Sequence, residues 1–123
     1  RVHVLTNPPD VTPYLRVALL AVVPLFRASG TRIKILDAIA SGIPVVSTGK
    51  GAEGLELENG REIILAGSRE AFVQGIRMLL QDPALRRRIA ESALKVLDAK
   101  YTLEANTPAV RRLIEGLLRE DAA

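Results

Sequence analysis

Apolar and polar residues change their spacing several times along this chain, and each change marks an element. Val2 to Leu5, Leu19 to Val23, the run that begins at Val45-Val46, and Glu62 to Leu65 are short and apolar, as expected of four buried strands. Elsewhere the apolar positions fall three and four residues apart, the period of a helix with one buried face. A short helix is predicted after Asn7-Pro8-Pro9, capped by Asp10 or Thr12, with Pro13 at its start and Tyr14, Leu15 and Ala18 inward. A second spans Arg32 to Ser41 and carries Ile35, Leu36, Ile39 and Ala40 at helical spacing. Arg69 to Gln81 is a third, with Phe72, Ile76, Leu79 and Leu80 inward. Asp82-Pro83 caps and opens a fourth, in which Leu85, Ile89, Leu94 and Leu97 form the buried set. Thr102 caps the last helical segment, which Pro108 must kink or restart. Val110, Leu113, Ile114, Leu117 and Leu118 give that segment a continuous apolar stripe.

Strand and helix alternate, so the expected fold is α/β: a Rossmann-like parallel sheet flanked by helices, with right-handed crossovers. The whole chain, 1–123, reads as a single domain with a terminal helix over 104–119. No internal repeat, low-complexity stretch or linker interrupts it.

The stretch the rest is organised around is Ser29 to Thr48. Ser29-Gly30-Thr31 supplies a turn and a candidate N-cap, Gly42 stands where a left-handed C-cap is wanted, and Pro44 follows. Arg32 and Lys34 fall in the first helical turn, the end of the helix dipole that disfavours cations. An anion bound there would neutralise them. Gly30 lets a ligand approach the backbone, and the first N–H groups of a helix point outward. These features describe a phosphate site. Asp37 lies five residues beyond Arg32, roughly 7–8 Å along a helix axis at ~1.5 Å per residue. That is a fitting distance from a diphosphate to the ribose hydroxyls of the same nucleotide. The same residues also fit a solvated helix face carrying two bases and an acid. The loop lies at the carboxyl end of a strand and ahead of a helix, the place where open α/β sheets bind ligands. Arg27, in the same loop, is within range of such an anion or is a plain surface residue.

From Pro24 to Leu55 the chain reads PLFRASGTRIKILDAIASGIPVVSTGKGAEGL. This stretch resembles the C-terminal domain of GT-B glycosyltransferases in the large group 1 (family 4) retaining family. That family carries a pair of glutamates with seven residues between them, then a small-residue and Gly-Pro-Val-Val segment. Leu36 to Val46 matches the second half closely, and the likeness extends from about Val4 to Leu118. The family's first Glu falls on Ser29 and its second on Asp37. Asp37 can still accept from ribose hydroxyls, whereas Ser29 cannot replace a carboxylate at the donor sugar. A branch of the family with Gly-Thr-Arg-x-Lys at this point is more similar, and there the basic pair shares the phosphate work.

The resemblance implies a partial C-terminal domain that binds a nucleotide-diphosphate sugar and, as part of a longer protein, transfers a hexosyl-type group to an acceptor. It assigns Gly30, Thr31, Arg32 and Lys34 to the diphosphate and Asp37 to the ribose. The loop Gly49 to Gly54 would border the sugar and pyrophosphate, with Gly51 among the substrate-binding residues and Glu53 as a hydroxyl ligand; an ordinary flexible turn fits that loop equally well. Formally the loop is G-x-G-x-x-G, but Leu55 to Gly60 alternates and turns where a dinucleotide fingerprint would open a helix, so NAD and FAD are not expected. The family needs no bound divalent ion, and no Asp-x-Asp cluster stands here to hold one, so neither metal nor cofactor is expected. The expected partners are the donor, an N-terminal domain of the same protein, and a second copy of the chain through Val110 to Leu118. The expected location is cytoplasmic, with a peripheral place at the inner membrane face as a further option. Alone, the chain is expected to be inactive.

Composition narrows the alternatives. The chain has no cysteine and one histidine, His3, so disulfides, thiolate metal sites and two-histidine sites are excluded. A net charge of +3 suits anionic small molecules, a membrane surface or nucleic acid. Aromatic residues make up only 3%, too few for base stacking, and Arg86-Arg87-Arg88 splay around a helix, so no nucleic-acid partner is expected. A non-catalytic nucleotide- or anion-binding module remains the alternative function. A phosphorylatable receiver domain does not fit, because Asn7-Pro8-Pro9 and Thr48-Gly49 stand where its aspartates would be.

Overall fold

The computed structural model describes residues 1–27, 30 and 32–121, the last two without their side chains. Its centre is a parallel sheet of three strands in the order β1 (Ala21–Val23), β2 (Val45–Ser47), β3 (Ile64–Leu65). Val22 pairs with Val46, and Val46 with Ile64, so the sheet is in sequential register. Among the described residues, five helices follow the predicted order: α1 (Thr12–Val17), α2 (Ile33–Ala40), α3 (Arg69–Gln81), α4 (Pro83–Lys100) and α5 (Leu103–Asp121).

Adjacent residues of a strand point to opposite faces, and β2 shows the consequence. Val45 packs with Ile35, Ala38 and Ile39 of α2 and with Ala93 of α4. Val46 packs with Phe72 and Leu79 of α3 and with Ile89 of α4. Helices therefore cover both faces, and α4 closes the two layers together. β2 is buried at every position, as a strand covered twice must be. Gly75 of α3 is where helix and sheet come closest: a Cβ built there would lie 2.9 Å from Ile64 Cγ2.

The connection from β2 to β3 contains no helix. Thr48 to Ile63 crosses in turns, on the α2 face, with Ala52 and Ile63 in the same core. Asn59 Oδ1 accepts from Leu65 N–H (2.8 Å), and Gly60, at φ 81°, returns its N–H to the Ile63 carbonyl (2.7 Å). Glu62 reads as the first residue of a strand. Instead it is buried, and its carboxylate accepts from Glu58 N–H at 2.9 Å and Arg61 Nε at 3.1 Å, tying this loop.

Several expectations are corrected. Val2 to Leu5 forms no strand: the segment is exposed, with Val2 89% and Val4 82% accessible, so the sheet has three strands and His3 lies on none. An apolar run makes a strand only if a neighbouring strand takes its backbone bonds, and among the described residues none is beside it. α1 starts after Val11, not at a side-chain cap; Asp10 Oδ1 accepts from Thr12 N–H (2.9 Å) within the preceding turn. The Thr12 side chain, and then this N–H, lower the Asp10 pKa by hydrogen bonding its carboxylate. Leu15 and Ala18 pack on the core as expected, but Tyr14 is half exposed. Leu80 points outward, and α4 buries Ile89, Ala90 and Ala93 while Leu94 and Leu97 are only partly covered. Ser68 and Asp82 cap α3 and α4 through Ala71 N–H and Leu85 N–H.

Helix α5 passes through Pro108 without restarting. The ring removes one backbone bond in the second turn, but polar side chains brace the same turns. Thr102 accepts from Ala105 N–H (3.2 Å), Thr107 donates to the Leu103 carbonyl (2.7 Å), and Asn106 donates to the Thr102 carbonyl (2.8 Å). The stripe from Val110 to Leu118 is exposed along its length, and α5 meets the rest of the chain mainly through α4. Among the described residues, no helix is long and apolar enough to cross a membrane.

Candidate functional site

Two loops leave the carboxyl ends of β1 and β2 and meet above the sheet. Buried hydroxyls join them. Ser47 Oγ lies 3.2 Å from the Val23 carbonyl and 3.0 Å from that of Thr48. Thr48 Oγ1 donates to the Leu25 carbonyl and accepts from Gly51 N–H at 2.8 Å. The second loop is then wound into successive turns: Ala52 N–H bonds the Thr48 carbonyl (3.1 Å) and Glu53 N–H that of Lys50 (3.3 Å). A Cβ on Gly51 would stand 2.5 Å from Ser47 Oγ and 3.3 Å from the Val23 carbonyl. Gly51 is buried against these groups. The resemblance gave it a ligand; the structure gives it a packing role in the loop.

The first loop returns to α2 through Gly30 and Arg32. Gly30 adopts φ 94°, a conformation side chains disfavour, and its carbonyl accepts from Arg32 Nη1 (2.8 Å). Ser29 and Thr31 lie outside the described residues. Arg32 is the N-cap residue of α2, with no side-chain cap bond, so the expected capping hydroxyl is not the terminus itself. Its guanidinium turns across the loops instead. Nη2 stands 3.5 Å from Glu53 Oε2, and the side chain is only 9% exposed. Nε is buried and makes no hydrogen bond among the described residues. A buried donor without a partner costs about 1–3 kcal/mol, so it marks a place where a partner is wanted.

Glu53 is shared. Its Oε2 also accepts from Lys50 Nζ at 2.6 Å, and the carboxylate is 58% exposed. The Lys50 hydrogen bond, the charge of Lys50 and that of Arg32 hold the Glu53 carboxyl below its ordinary pKa. Two cations facing one carboxylate leave a net positive charge beside the N-terminus of α2, whose dipole has the same sign. The combination suits an anion with several oxygens.

Lys34 and Asp37 are exposed on α2 and form no ion pair among the described residues. They stand on the same helix as the cluster but do not join it. Ser41, on the same stripe, donates its hydroxyl to the Asp37 carbonyl (2.8 Å) and is used up within the helix. Arg27 is exposed. Sequence reasoning missed Lys50 as a member of the site and missed the locking hydroxyls of Ser47 and Thr48. The opposite charges of Lys50 and Glu53, three residues apart in a turn, were the available signal. Among the described residues no three acidic or histidine side chains converge as a metal site would require.

A family model described as glycosyl transferases group 1 matches residues 1–82, which include both loops and α2. A lipopolysaccharide core biosynthesis mannosyltransferase, LpcC, of Rhizobium leguminosarum bv. viciae is 29% identical over 123 residues. The match covers 98% of this chain and 35% of that protein, so the chain spans about a third of the relative's length. In three dimensions the chain is similar to the crystal structure of the C-terminal domain of a group 1 family glycosyl transferase (LpcC) from Francisella tularensis. The TM-score is 0.67 at 20% identity, over 83% of this chain and 53% of that one.

Proposed function

This chain belongs to the group 1 glycosyl transferases, and on that premise we propose that it contributes the donor site of an enzyme that takes a nucleotide-diphosphate sugar and transfers the glycosyl group to an acceptor. The observation that carries the reading is Arg32: a nine-tenths buried guanidinium at a helix N-terminus, above the carboxyl edge of a parallel sheet, with Nε unpartnered among the described residues. In such a sheet this is where phosphates are bound. Arg32, the N-terminus of α2 and the ammonium group of Lys50 meet the diphosphate, with Lys34 adding charge from outside the cluster. When the bond to the sugar breaks, negative charge grows on the departing diphosphate, and fixed positive groups stabilise it without having to reorganise. In this reading no divalent ion is called upon. The matched relative's name, a mannosyltransferase, supports a hexose as the transferred group. In this reading the acceptor side belongs to an N-terminal domain of the same protein.

Asp37 has its place in the same reading, about a turn and a half from Arg32 on the exposed side of α2. There its carboxylate accepts from the ribose hydroxyls. Asp37→Ala in the intact protein is expected to weaken nucleotide-sugar binding by about 1.5–3 kcal/mol, the range for a hydrogen bond to a charged group. Asp37→Glu should retain most of the affinity. Titration calorimetry with the donor and with inorganic pyrophosphate checks this. The loss should appear with the nucleotide and vanish with pyrophosphate, which has no ribose; equal binding of the donor by both variants and parent would remove Asp37 from the site.

A further inference from the structure

The resemblance makes Glu53 a ligand for sugar hydroxyls, but the structure shows it already occupied. Its single oxygen Oε2 takes both Lys50 Nζ (2.6 Å) and Arg32 Nη2 (3.5 Å). We infer that Glu53 is an internal counter-anion: its carboxylate stands in for a phosphate group, holds Arg32 and Lys50 in position while the site is empty, and is displaced when a diphosphate binds. The inference rests on the donor-site reading above.

The asymmetry of burial decides which partner moves. The Arg32 side chain is 9% exposed and is fixed at its other end by the Gly30 carbonyl, 2.8 Å from Nη1. Glu53 is 58% exposed and Lys50 45%, so both swing into solvent at little cost. An incoming dianionic group offers the same two cations more charge and more acceptor oxygens than one carboxylate does. It also reaches the Arg32 Nε that Glu53 leaves unpartnered among the described residues. Arg32 then changes partner without changing place, Lys50 follows the incoming charge, and the carboxylate leaves by rotating about its own side-chain bonds. Glu53 is thus a positioning residue that also sets a threshold: a weakly charged anion does not displace it.

The test is calorimetric titration of the intact protein with inorganic pyrophosphate, comparing parent, Glu53→Gln and Arg32→Ala. Removing a competing exposed ion pair should tighten pyrophosphate binding by roughly two- to five-fold in Glu53→Gln, the range an exposed pair can supply. A merely structural role cannot produce a gain. Unchanged or weaker binding by Glu53→Gln overturns the inference, and a loss confined to the nucleotide sugar would restore the carboxylate to the sugar hydroxyls. Arg32→Ala separates this from the parent reading: if it binds pyrophosphate as well as the parent does, the donor site itself has been misplaced.

Discussion

Arg32→Ala is expected to abolish useful affinity for a nucleoside diphosphate, with a loss of about 2–5 kcal/mol, the cost of truncating one partner of a buried, hydrogen-bonded charge pair. The size follows from where the guanidinium sits. It is almost wholly covered, so its attraction to an anion is weakly screened, and it reaches the site as a planar fork rather than a flexible point charge. Arg32→Lys should recover only part of the affinity. An ammonium supplies the charge but cannot keep the Gly30 carbonyl and two phosphate oxygens together. Calorimetric titration with a nucleoside diphosphate measures both variants. The melting temperature should change little by comparison, because Arg32 lies outside both apolar cores.

The second large effect is on stability and distinguishes two neighbouring leucines. Leu79 is completely buried against Val46, Ile64, Phe72 and Ile89, while Leu80 is half exposed. Leu79→Ala should destabilise the protein by about 2–5 kcal/mol, since both apolar transfer and the unfilled cavity count against it. Leu80→Ala should remain within about 0.5 kcal/mol of the parent, as surface substitutions usually do. Urea denaturation of the two variants gives the comparison directly. Equal losses would mean that α3 is rotated from the orientation described.

These leucines also show how far the sequence could be read. Periodicity located α3 and its inward face through Phe72 and Leu79, yet it could not decide on which side of that stripe the boundary falls. Leu80 satisfies the spacing as well as Leu79 does, but the sheet and α4 lie on the Leu79 side. The parallel sheet, α2 and its stop at Gly42, and the cap at Asp82 rest on local signals that tertiary structure respects. Val2 to Leu5 has the composition of a strand, but pairing is a property of a partner, and the segment is exposed. Pro108 reads as a break because its ring removes a bond; the bracing by Thr102, Asn106 and Thr107 is visible only in three dimensions.

The site was legible in its chemistry more than in its contacts. Cations near a helix N-terminus pointed to an anion; the structure puts Arg32 at the N-cap of α2, not in its first turn, and leaves Lys34 outside the cluster. Ser29 and Thr31 lie outside the described residues. Gly51 carried a ligand by resemblance, and the close approach of Ser47 and Thr48 gives it another task. Glu53 was assigned by the resemblance to a sugar. No spacing rule reveals that a residue 21 positions before it supplies its second cation.

The central claim is that the diphosphate of the donor sits at the N-terminus of α2, on Arg32. A crystal structure of the intact protein soaked with a nucleoside diphosphate addresses it most directly. The expected density places both phosphates against Arg32 and the first turn of α2, with Glu53 turned away and the ribose toward Asp37. A nucleotide bound elsewhere, with Arg32 still paired to Glu53, would contradict the account.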